Sequence, residues 1–121
     1  MILDNQASIK VSPETKNEVF NAIGIIDDHL KGSLITLTPQ MRKDLPKMGD
    51  GTLPFVLKTL DYGKSNPEFA PSYINIDELE IDLKAVQDLK DLYRPILQLL
   101  QRLDDSILLS GSEAYVSALT Y

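Results

Sequence analysis

Read for its apolar positions alone, the chain has two modest helical stripes, one long one, and irregular stretches between them. Ile2, Ile9 and Val11 alternate only weakly, so residues 1–11 can be read as an edge strand but read better as a flexible tail. Helical rhythm begins at Ser12-Pro13-Glu14. There a hydroxyl cap, a first-turn proline and an acidic residue at the positive end of the helix dipole coincide. Val19, Ile23, Ile26 and Leu30 then recur at helical spacing, with Phe20 and Ala22 widening the stripe, and Lys31-Gly32 supplies a basic last turn and a stop.

Residues 31–51 read as an irregular connector, with Leu34, Ile35 and Leu37 as its apolar part. Thr38-Pro39 repeats the cap-then-proline signal, which predicts a short helix over 39–44 before Pro46 ends it. A second amphipathic helix is expected from about Thr52 to Lys64, with Leu53, Val56, Leu57 and Leu60 on one side. Pro54 is tolerated in its first turn, where a missing N–H costs little. Gly63 and the loop from Ser65 to Ser72 end it.

The longest pattern runs over 77–110, with Asn75 or Asp77 as its cap and Glu78 and Glu80 in the first turn. One stripe is Leu79, Leu83, Val86, Tyr93, Leu97, Leu100 and Ile107; a second is Ala85, Leu89, Leu92, Ile96, Leu99 and Leu103. They merge between Leu92 and Leu103, which predicts a central position for that part. Pro95 removes the hydrogen bond to the Asp91 carbonyl, so one kinked helix is expected. Ser110-Gly111-Ser112-Glu113 has capping-box spacing before a last helix over 112–121, where Gly111 starts a new helix or merely bends the old one. The pattern is still running at Tyr121, which fits either a frayed end or a truncated chain.

These elements predict an all-α, antiparallel up-and-down helical bundle spanning 1–121 as a single domain, with one long Pro-kinked helix. At roughly 1.5 Å per residue the long helix is about 50 Å, while its two partners are about 27 and 20 Å. Neither partner alone covers such a rod. They must lie along it in tandem, or a second copy must cover the rest, and a two-fold homodimer is the expected form. No internal repeat is present, and the heptad rhythm is not strict enough for a free-standing coiled coil.

Composition narrows the function classes. With no cysteine among 121 residues, disulfides, thiolate metal sites and cysteine nucleophiles are excluded. Eighteen acidic residues against 12 basic give a net charge of −6, which opposes attraction to nucleic acid or anionic lipid. The first residues lack the basic start and unbroken apolar run of a signal peptide, and no window approaches a membrane span. A soluble, cytoplasmic protein is expected.

Candidate chemistry is sparse. Asp27-Asp28-His29 holds the single histidine, but neighbours on a helix diverge by about 100°, so the three do not converge on a metal and read as solvated surface. Asp104-Asp105 diverges likewise; a core-facing Asp104 would need a partner. Arg94, beside the carbonyl freed by Pro95, offers an anion clamp, against which stands a local pair with Asp91. Tyr62, Tyr73, Tyr93, Tyr115 and Tyr121 offer the lining of a ligand pocket, against which stands the reading as core rims with the hydroxyl kept wet. Gly49-Asp50-Gly51 lacks the strand and lysine of a phosphate loop and reads as a turn capping the second helix. No catalytic motif is present and no cofactor or metal is implied.

The segments LPKMGDGTLPFV (45–56), NPEFAPSY (66–73), DELEIDLKAVQDL (77–89) and GSEAYVSALTY (111–121) resemble a group of small, uncharacterised bacterial all-helical proteins. The resemblance covers 45–121 and implies a helical fold, continuation beyond Tyr121, and no assigned activity. A noncatalytic interaction or scaffolding bundle is therefore the leading expectation. The alternative is a small-ligand or metal-binding bundle, enzymatic or not, that uses Asp104, Tyr93 and Arg94 around the Pro95 kink.

Overall fold

A computed structural model describes residues 8–121, and within them the chain is all-α with no strand. Most of the tail expected over residues 1–11 lies outside the described residues; 8–11 have no regular structure. The elements are α1 (Pro13–Leu30), α2 (Pro39–Asp44), α3 (Leu53–Ser65), a 3₁₀ turn (Pro67–Phe69) and α4 (Ile76–Thr120).

Local signals act where the sequence puts them. The Ser12 hydroxyl accepts from the Thr15 N–H at 3.1 Å, and the Thr38 hydroxyl accepts from the Met41 N–H at 3.2 Å. Asn75, of the two residues proposed, caps α4: its side-chain oxygen accepts from the Glu78 N–H at 3.0 Å. Each satisfies an N–H that lacks an intrahelical acceptor. Thr52 departs from this pattern, because its hydroxyl donates to the Gly49 carbonyl at 3.0 Å and makes no cap bond.

The main departure lies at Gly111. The expected pair of helices over 77–110 and 112–121 is one helix of 45 residues, about 68 Å long. A glycine ends a helix by taking a left-handed conformation, and no described glycine has positive φ. Gly111 lies within the continuous helix, at a propensity cost of about 1 kcal/mol.

The chain divides into two compact units. One comprises the described residues up to Asp44 together with Leu100–Tyr121. No residue of α1 or α2 is buried in it; Leu30 and Leu37 are half-buried, as are Ser106, Leu109, Ser110, Glu113 and Val116 on α4.

The other unit is Leu45–Leu99. Lys64 pairs with Glu80, and the Lys90 ammonium lies 4.0 Å from Asp50, so α3 and the start of α4 run antiparallel. Leu83 lies between them at 6% exposure, the one buried large hydrophobic among the described residues. Leu53, Val56 and Leu60 of α3 and Leu79 and Val86 of α4 are half-buried, as their stripes predict, while Leu57 stays exposed. The merged part expected to be central, between Leu92 and Leu103, is largely exposed: Leu92, Ile96, Leu99, Leu100 and Leu103 are 45–52% exposed, as is Leu89 just before it at 44%, while Leu97 is half-buried.

Candidate binding site

α3 carries a second stripe opposite its leucines. Phe55, Thr59, Tyr62 and Asn66 recur at helical spacing, and all four line an apolar hollow of about 320 Å³. The Thr59 hydroxyl donates to the Phe55 carbonyl at 2.9 Å. Lys58 stands on the same wall.

The opposite wall is the loop between α3 and α4, and prolines set its course. The helix closes with the Asn66 N–H on the Tyr62 carbonyl at 2.8 Å. Pro67 then opens the 3₁₀ turn, in which the Phe69 and Ala70 N–H groups donate to the Asn66 and Pro67 carbonyls. After Pro71, the Ile74 N–H returns to the Pro71 carbonyl at 3.0 Å. These successive turns present Phe69 and Ile74 to the hollow.

Gly63 forms the junction. It is buried on α3, and a Cβ built there would lie 2.5 Å from Ile76 Cδ1 and 3.1 Å from Cγ1. Only a bare backbone lets the first residue of α4 approach so closely. A more polar hollow of about 640 Å³ shares Gly63, Pro71 and Ile76 with the first and is lined besides by Lys64, Tyr73 and Asp77. Its lysine is engaged: hydrogen bonding to Glu80, then the charge of Glu80, raises the Lys64 pKa above 10.5.

The residues proposed from sequence lie elsewhere. Tyr93, Arg94 and Asp104 are exposed on α4 and line neither hollow. Arg94 is 3.7 Å from Asp91, the local pair weighed against an anion clamp. Asp28 of the Asp27-Asp28-His29 run pairs with Lys31 at 3.3 Å, and no group of potential metal ligands forms among the described residues. In the Gly49–Gly51 turn, the Thr52 and Leu53 N–H groups donate to the Gly49 carbonyl, leaving neither for a phosphate.

Sequence reasoning passed over Phe55, Lys58 and Phe69, weighed Tyr62 as pocket lining but favoured packing, and took Gly63 only as a helix end. The spacing of Phe55, Thr59, Tyr62 and Asn66 was the available signal; the contribution of Phe69 and Ile74 depends on the path of the loop. Compared with known families, curated proteins and solved structures, the chain matches none.

Proposed function

We propose that this protein is a noncatalytic interaction module that pairs with a second copy of itself through α4. The observation that carries this reading is the uncovered stripe Leu89, Leu92, Ile96, Leu99 and Leu103. Its alternating spacings of three and four place the five side chains on one seam of the helix. Completing the burial of a half-exposed leucine contributes roughly 1 kcal/mol. A seam of five is thus a substantial incentive for association, and a two-fold axis lets the same surface serve both copies. Among the described residues no helix is long and apolar enough to cross a membrane, so a lipid core is a poor alternative cover for these positions.

The test is energy transfer between copies. The sequence has no cysteine, so Gln101→Cys on α4 gives a single labelling position. Mixing donor- and acceptor-labelled protein is expected to produce transfer, and Ile96→Asp to abolish it while helical circular dichroism is retained. Absence of transfer between folded, labelled copies of the Gln101→Cys protein would overturn the reading.

A further inference from the structure

The hollow beside α3 lies off the α4 seam and has a chemistry of its own. Phe55, Tyr62, Phe69 and Ile74 give it an apolar body formed by aromatic rings and a branched aliphatic. Its polar side chains are largely occupied: Thr59 bonds the Phe55 carbonyl, and the Asn66 amide donates to the Tyr62 carbonyl at 3.4 Å. Lys58 differs. It lines the hollow and makes no ion pair among the described residues, whereas Lys31, Lys64, Lys84 and Lys90 all face carboxylates. In a chain of net charge −6, an unpaired cation on an apolar cavity wall selects the sign of what binds there.

We infer that this hollow binds a small amphipathic monocarboxylate, with its hydrocarbon body between the aromatic walls and its carboxylate on Lys58. The volume of about 320 Å³ lies at the small end of ligand cavities. At roughly 30 Å³ per water-sized group it holds about ten non-hydrogen atoms, the size of octanoate. The proline-framed turns fix the loop wall before the ligand arrives, which limits the ordering cost of binding. Gly63 brings Ile76 against α3, and both residues line the hollow.

The inference is tested by amide-shift titrations of the full chain with octanoate, 1-octanol and octylammonium. Saturable shifts are expected among residues 55–76, with octanoate tightest and octylammonium weakest. An exposed charge pair is worth up to about 1 kcal/mol, or about fivefold. Lys58→Glu is therefore expected to weaken octanoate by fivefold or more and to reverse the order of the two ions, with octanol little changed. Phe69→Ala is expected to weaken all three. Octanoate affinity unchanged by Lys58→Glu, or shifts centred on Leu89–Leu103, would overturn the inference; so would the lack of saturable octanoate binding. The seam does not line the hollow, so failure of copies to pair leaves this result unaffected, and the converse holds.

Discussion

Gly24 and Gly63 both sit inside helices, yet their surroundings give alanine opposite effects. Nothing lies within 4 Å of a Cβ at Gly24 or Gly111, so Gly24→Ala and Gly111→Ala are each expected to stabilise the fold by about 0.5–1 kcal/mol, from backbone entropy alone. At Gly63 the same gain meets Ile76 at 2.5 Å. Overpacking of this kind costs about 1–3 kcal/mol, so Gly63→Ala is expected to be destabilising by about 1 kcal/mol net. Urea unfolding of the three variants checks both signs. The lysine pair partners give a pH signature. Hydrogen bonding and charge from Glu80 raise the Lys64 pKa, and Asp88 does the same for Lys84. Since the charged amine is favoured in the folded chain, this stabilisation is complete below pH 10.5 and is lost as pH rises through the raised values. Glu80→Gln is expected to lower the Lys64 pKa toward 10.5 and leave Lys84 raised, read by side-chain NMR titration.

Among the helices, what the sequence made legible was whatever depends on a few adjacent residues. Ser12, Thr38 and Asn75 cap helices because a short polar side chain reaches an N–H three residues on, with no help from the rest of the fold. Gly111 was ambiguous because glycine is compatible with a helix interior as well as a stop, and only the backbone conformation distinguishes them. The two stripes of α4 were legible as stripes, but not which one α3 would cover. That choice rests on the close approach at Gly63 and the ion pairs at Glu80 and Lys90, contacts made between distant parts of the chain. The hollow was hidden for a similar reason, since half its wall is a loop with no periodicity to read. Pro95, inside α4, lacks the N–H that would donate to Asp91. Pro95→Ala is therefore expected to stabilise the helix by about 1–3 kcal/mol, visible as a higher thermal midpoint by circular dichroism.

For the whole protein, the all-α class followed from periodicity, while the function proposed for it rests on surfaces that periodicity alone does not assign to partners. A chain of 121 residues is large enough to bury a core, yet Leu83 is its one buried large hydrophobic among the described residues. Isolated exposed leucines are ordinary; the proposed pairing rests instead on five apolar side chains that share one seam. Association would bury these positions and tie stability to protein concentration, so the thermal midpoint is expected to rise as the chain is concentrated. Ile96→Asp, which places a carboxylate in the middle of the seam, is expected to remove that dependence. Sedimentation equilibrium over a wide concentration range tests the pairing most directly. The account predicts a mass approaching twice the 13.5 kDa of one chain as concentration rises; a folded protein that stays at 13.5 kDa throughout would contradict it.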